Sequence, residues 1–189
     1  MEPIEIFKKW FEEELKLSKV RIPDAVCLST IGLDNFPNAR FVSLKEVIEN
    51  LFFVTGPLNF RKGIEIEKNE NVALTFWRAE TERQVRIQGK ASKISEQLAD
   101  KYFNERNIHS QAVSSICEQG KETNDLELLK KKVMEKVFTN TKIERPENWG
   151  GYSIEPKRIE FKEFKNTRFH DRKLYEILNG KWNCKHIQP

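Results

Sequence analysis

Cysteine is scarce in this sequence: Cys27, Cys117 and Cys184 are the three present, and they lie far apart. No Cys-x-x-Cys pair and no Cys/His spacing suited to a metal occurs, so a metal centre has no ligand set. Free thiols in a reducing compartment are the default for such cysteines. Apolar runs of membrane-spanning length are missing too. The N-terminus, MEPIEIFKKWFEEELKLSK, is acidic and amphipathic and lacks a signal-peptide pattern. These absences predict a soluble, cytoplasmic chain with no membrane partner. The net charge is only +4. No run of five or six like charges forms a basic tail, which argues against a nucleic-acid partner. The densest stretch, 129-LKKKVMEKVF-138, sets Lys130, Lys131 and Lys132 beside apolar positions at helical spacing, as a solvated helix face does. GxSxG, HExxH and P-loop patterns are absent, and His109, His170 and His186 are scattered. Hydrolytic and metal-dependent chemistry therefore have no visible machinery.

Aromatic residues are plentiful. Among 189 residues there are 13 Phe and 4 Trp, enough to fill a core although 33% of the chain is charged. The length and the lack of linkers or repeats predict one domain over 1–189. Part of so polar a chain can be buried in an oligomer. Ile4, Phe7, Trp10, Phe11 and Leu15 recur at helical spacing, predicting a helix over 3–18 with Pro3 in its first turn. From 25 to 95 the texture is that of strands: AVCLSTIG, 39-ARFVSLKEV-47, 51-LFFVTG-56, NVALTFWRAE and 83-RQVRIQGKASKIS-95. A short helix starts at FRKGIEIEKN. Further helices are predicted over 96–106, with Ser95 as N-cap, and over 125–138. Residues 149–189 return to strands, with a hairpin turn at Asn179-Gly180. This order predicts an α+β fold, mainly antiparallel, with a barrel as its core; periodicity does not separate a barrel from a sandwich.

Cations stand at telling places. Arg61 and Lys62 sit where a helix begins, and free amides plus two cations suit a phosphate; locally, a surface Arg-Lys pair explains them better. Tyr102, Arg106 and Ser110, at i, i+4 and i+8, fall along one stripe if the helix continues, and would grip a second phosphate or simply decorate a helix face. Gln84, in ERQVRIQG, offers an amide to a heteroaromatic edge or is a plain polar strand residue. In 166-NTRFHDRKLY-175, Arg168, His170 and Arg172 alternate. On a strand they would share one face, which is repulsive unless an anion is there or the strand is a solvated edge. The common theme is phosphorylated small molecules, with separated cation sets for two of them.

Together these pieces resemble the pyridoxamine 5'-phosphate oxidase family. The matching segments are RFVSLK at 40–45, FVTG and RKG around 53–63, ERQVRIQGK at 82–90, and KYFNER with HSQ at 101–111. WGGYSIEPKRIEF at 149–161 and RFHDRKLY at 168–175 complete the set. The resemblance implies an FMN-binding split β-barrel with peripheral helices, forming a homodimer with flavin at the interface. It implies oxidation of pyridoxamine or pyridoxine 5'-phosphate to pyridoxal 5'-phosphate, with O2 reduced to H2O2. Arg40, Arg61 and Lys62 would then bind the FMN phosphate. Val42, Val54 and Thr55 would line the flavin, Gln84 and Arg172 would contact it, and Gln119 would reach it from the partner subunit. Lys45, Tyr102, Arg106 and Ser110 would hold the substrate phosphate. Arg168 and His170 would face the substrate ring as the catalytic pair.

The chain departs from the family pattern at several positions. The family's IEFW reads IEFK, with Lys162 in place of Trp. Phe60 replaces a small Ser before Arg61-Lys62, in a loop one residue longer, and Gly120 replaces Ser after Gln119. These changes touch the flavin side and predict weaker FMN binding. Two other readings stand beside the oxidase: a related flavin oxidase of the phenazine-biosynthesis type, and a protein that holds FMN or pyridoxal phosphate without turnover.

Overall fold

Strict alternation builds the central strands. On β1 (Ala25–Ile31), Val26, Leu28 and Thr30 are buried and their neighbours are not. Val72, Leu74 and Phe76 do the same on β4 (Asn71–Arg78), and Val85, Ile87 and Ala91 on β5 (Arg83–Lys93). Side chains two apart point to one face, so these sets meet inside a closed sheet. The computed structural model, which describes residues 2–139 and 142–189, shows how it closes. The strand order is β3-β2-β1-β4-β5-β6-β7-β8, with an additional β3–β6 pairing. Six strands thus form an antiparallel barrel that includes β2 (Pro37–Ile48) and β3 (Leu51–Pro57). The last two, β7 (Asp171–Leu178) and β8 (Lys181–His186), extend the sheet outward. The α+β, mainly antiparallel barrel expected from the sequence is the observed fold.

β6 (Trp149–Glu163) is the hinge of the topology. Its first residues pair with β3, as in Thr55↔Gly151, and its last with β7, as in Lys162↔Arg172. β5 runs beside most of it. At Gly151 the strands come so close that a Cβ would stand 2.5 Å from the Val54 carbonyl oxygen, so only glycine fits.

Two hydrophobic cores result. Inside the barrel, α1 (Pro3–Leu17) inserts Ile4 and Phe7 among the strand residues. The Phe7 ring meets those of Phe52 and Phe76 edge-on, each at 4.9 Å. Phe7→Ala is therefore expected to destabilise the protein by about 3–5 kcal/mol, read as a lower urea midpoint. On the outer face, Phe53 and Trp149 pack against α3 (Glu96–Asn104), α4 (Ile108–Ile116) and α5 (Leu126–Phe138). Ser95 caps α3 and Asp125 caps α5, each accepting a hydrogen bond from the backbone N–H three residues on.

The structure differs from the sequence-based expectation in three places. The helix expected over 96–106 ends at Asn104 and restarts as α4, whose N-cap Asn107 accepts from the Ser110 N–H. Tyr102, Arg106 and Ser110 therefore do not form one helical stripe; Arg106 lies in the break. β7 begins at Asp171, so Arg168 and His170 lie in the turn before it and do not share a strand face with Arg172. Arg168 adopts φ 62, left-handed backbone that favours glycine. Finally, β2 bulges between Leu44 and Glu46, making Lys45 the extra residue. The hairpin at Asn179 (φ 51) and Gly180 (φ 76) is as expected, and all three cysteines are free thiols.

Candidate functional site

A cavity of about 390 Å³ opens between β2, β3, the start of α2 (Arg61–Lys68) and α4. It gathers seven of the expected residues: Arg40, Val42, Lys45, Thr55, Lys62, Arg106 and Gln119. Each cation reaches it by a different device. The bulge re-aims Lys45. Lys62 sits in the first turn of α2 and is only 9% exposed. Its Nζ donates to the Pro57 carbonyl (3.0 Å). Gly56, at φ 154, leaves room for it, since a Cβ there would stand 2.9 Å from Nζ. Arg106 lies over the Trp149 ring, 5.1 Å from its centroid, and donates to Ser114 Oγ (2.6 Å).

The electrostatics are those of a waiting anion site. Among the described residues, Lys45, Lys62 and Arg106 have no carboxylate partner within ion-pair distance, although 29 acidic residues are available in the chain. Burial, with Arg40 nearby, pushes the Lys62 ammonium down to about 8. Burial lowers the Arg106 guanidinium as well. Cations held this way lack compensation until an anion arrives.

Arg40 and Arg61 are organised by a single buried carboxylate. Glu65 accepts from Thr30 Oγ1 (2.5 Å), Asn38 Nδ2 (3.0 Å), Arg40 Nη2 (2.9 Å) and Arg61 Nε (2.9 Å). Burial works against its charge, but the four hydrogen bonds overcome this and hold it at about 2. Arg40 Nη1 also donates to Thr30 Oγ1 (2.5 Å), leaving Nε and part of Nη2 uncommitted.

A second set lies elsewhere. Gln84, Lys162 and Arg172 stand opposite one another across β5, β6 and β7, so they share one face. Lys162 Nζ lies over the Phe164 ring at 4.4 Å. Phe164 also meets Trp77 (5.1 Å) and His170 (4.8 Å). Arg172 donates through Nε and Nη2 to Glu160 Oε1 (3.0 and 2.8 Å), and Arg86 pairs with Glu160 Oε2 (2.7 Å). His170 Nδ1 accepts from the Lys165 N–H (3.0 Å), so the neutral ring carries its proton on Nε2. Burial and the cations Lys162, Arg168 and Arg172 lower its pKa. His170, Arg172 and His186 line a separate cavity of about 570 Å³.

The remaining expected residues are placed as follows. Val54 points into the barrel core, 2% exposed. Arg61 borders a neighbouring cavity that also touches Gln119. Gln119, expected from the partner subunit, lines the first cavity of its own chain. The Tyr102 ring is buried, and its hydroxyl donates to Glu46. Ser110 stands in the first turn of α4, while Ser114, one turn later, holds Arg106. Glu46, Glu65 and Ser114 were not singled out from the sequence. The i,i+4 spacing of Arg61 and Glu65 was the one readable signal.

The family model described as "Pyridoxamine 5'-phosphate oxidase" matches residues 12–140. That described as "Pyridoxine 5'-phosphate oxidase C-terminal dimerisation region" matches residues 149–189. The chain is 37% identical to the pyridoxine/pyridoxamine 5'-phosphate oxidase of Trichormus variabilis, across 99% of this chain and 88% of that one. It is 36% identical to the protein of the same name from Leptospira interrogans, across 100% and 89%. Among solved structures, PhzG from Burkholderia lata 383, in complex with tetrahydrophenazine-1-carboxylic acid, superposes with a TM-score of 0.93 at 28% identity, covering 100% of this chain and 93% of that one.

Proposed function

The chain belongs to the pyridoxamine 5'-phosphate oxidase family, and from that premise we propose that it oxidises pyridoxamine or pyridoxine 5'-phosphate to pyridoxal 5'-phosphate. FMN is the cofactor in this reading, O2 is the acceptor reduced to H2O2, and the working form is a cytoplasmic homodimer. The observation that carries it is the cavity with Lys45, Lys62 and Arg106 uncompensated on its wall. Three unpaired cations on one small cavity are repulsive unless it receives phosphate.

The residues fit FMN: Lys62 and Arg40 line the cavity beside a helix N-terminus, Gly56 makes the space, and Arg61, at the rim of the neighbouring cavity, shares the Glu65 carboxylate with Arg40. FMN, when bound, supplies the two-electron acceptor for the substrate carbon. The chain's own task is binding and orientation. Val42, Val54 and Thr55 contribute wall and backbone, Gln119 an amide, and Gln84 and Arg172 polar contacts from the second face. Lys45, Tyr102, Arg106 and Ser110 hold the substrate phosphate. Arg168 and His170 hold the substrate ring, His170 through the N–H at Nε2. Lys45, Lys62 and Arg106 line one cavity, and His170 and Arg172 line another; in this reading a second copy supplies Gln84, Arg168, His170 and Arg172 of the partner subunit to the first cavity.

The similarity to PhzG favours one competing reading, oxidation of a phenazine-type carboxylic acid. The uncompensated Lys45 and Arg106 weigh against it, because a phosphate dianion suits them better than one carboxylate. Non-catalytic FMN or pyridoxal-phosphate binding is the third reading, motivated by Lys162 in the row between Gln84 and Arg172.

One experiment separates them. The protein is purified without added flavin, dialysed, and supplied with FMN and pyridoxine 5'-phosphate in air. Pyridoxal 5'-phosphate and peroxide are expected together, and FMN is expected to leave on dialysis, because an ammonium replaces an aromatic wall at Lys162. Stoichiometric flavin surviving dialysis contradicts the second expectation. Ligand binding with neither product supports the binding-protein reading. Turnover of a dihydrophenazine acid alone supports the PhzG-like one.

A further inference from the structure

We propose that Glu46 is a built-in competitor for the substrate phosphate and sets the affinity of this chain for phosphorylated ligands. The inference rests on the functional reading above, in which Lys45, Tyr102 and Arg106 hold that phosphate. Glu46 directly follows the bulged Lys45. Its side chain is one-third exposed (33%), and Oε1 pairs with Lys101 Nζ at 3.6 Å. The same oxygen accepts the Tyr102 hydroxyl. Tyr102 is otherwise sealed in the outer core, 2% exposed, and among the described residues Glu46 is the hydrogen-bond partner of its hydroxyl. Burial, with the pairing to Glu46, raises the phenol pKa and keeps it a donor.

A carboxylate between a phenol and an ammonium is itself a bound anion. An arriving phosphate meets a resident negative charge, and it gains the Tyr102 hydroxyl only by displacing Glu46. Lys45 and Arg106 attract the phosphate, and Glu46 opposes it from the adjacent position. A neutral side chain of the same shape removes the opposition and leaves the cations in place. For unit charges in a partly exposed site, such a change corresponds to about five- to tenfold in affinity.

The test uses FMN-loaded protein titrated calorimetrically with pyridoxal 5'-phosphate and, separately, with pyridoxal. Glu46→Gln is expected to bind pyridoxal 5'-phosphate about five- to tenfold more tightly than wild type, with pyridoxal affinity unaltered. The gain is expected to shrink at high salt, which the loss of a merely structural contact does not produce. Adding Tyr102→Phe to Glu46→Ala is expected to remove much of the gain of Glu46→Ala, because the hydroxyl freed by the truncation supplies part of it. Glu46→Ala serves as a second variant, with far-UV circular dichroism confirming the fold of each. If neither folded variant binds pyridoxal 5'-phosphate more tightly, or if pyridoxal gains equally, the proposal falls. Wild-type protein that neither binds pyridoxal 5'-phosphate nor oxidises pyridoxine 5'-phosphate overturns the functional reading, and this inference with it.

Discussion

Replacing Lys62 by Met is expected to raise the FMN dissociation constant about 100-fold while riboflavin, which lacks the phosphate, loses less than about threefold. A charge-assisted hydrogen bond to phosphate from a largely desolvated ammonium lies at the strong end of such interactions, roughly 2–3 kcal/mol. Fluorescence titration of apo-protein with each flavin measures both constants. Equal losses for the two flavins would place Lys62 outside the phosphate cradle.

The same substitution reverses sign in the ligand-free protein. The Lys62 ammonium sits at about 8 in the folded chain, below its ordinary 10.5. Between those values the unfolded chain binds more protons, so wild-type stability rises as pH climbs from about 8 to 10.5 and levels off above. Below pH 8 the buried charge is a full liability, at most about 3 kcal/mol. Lys62→Met is therefore expected to be more stable than wild type at pH 7 without ligand, with the difference closing by pH 10.5. Urea midpoints across that range show it. The converse holds for flavin: affinity of wild type weakens above pH 8, as the unliganded ammonium loses its proton.

The second large effect belongs to Glu65. Glu65→Leu is expected to destabilise the fold by about 3 kcal/mol, the cost of leaving a partly buried Arg40 and the donors of Thr30 and Asn38 without their acceptor. Arg61, mostly exposed, adds little. The carboxyl is held at about 2 against an ordinary 4.5, so its contribution is fully present above 4.5 and lost as pH falls through 2. Acid unfolding of Glu65→Leu is expected to be shallower over that interval. FMN affinity falls with it, since Arg40 and Arg61 lose their common anchor. An unchanged urea midpoint would show that the four hydrogen bonds add nothing net to stability.

The barrel was legible because its strands alternate cleanly. Val72, Leu74 and Phe76, or Val85 and Ile87, state the inward face outright, and Asn179-Gly180 states its turn. What stayed hidden has local causes. A bulge has no sequence mark of its own, so the re-aiming of Lys45 and the approach of Glu46 to Tyr102 were invisible. The break between α3 and α4 was concealed because KYFNERNIHSQ keeps helical periodicity, while Asn107 capped a new helix. Arg168 and His170 alternate with Arg172 as strand residues do, yet the left-handed φ at Arg168 turns the chain before β7 begins. Arg40, Lys45, Lys62 and Arg106 could be picked out one by one as cations, but nothing in the sequence says that they line one cavity while Arg172 lines another.

The length of β6 has a thermodynamic consequence. Trp149 borders the cation cavity at one end and Lys162 stands between Gln84 and Arg172 near the other, roughly 40 Å apart along an extended strand. One phosphorylated heteroaromatic cannot touch both ends of the same strand. In the proposed homodimer each ligand must bridge two chains, and ligation becomes linked to assembly. FMN and the second subunit then strengthen one another by the same factor, and the apparent flavin affinity falls as the protein is diluted below its own dimerisation constant. Flavin retention would thus report on protein concentration as much as on the residues of the cradle.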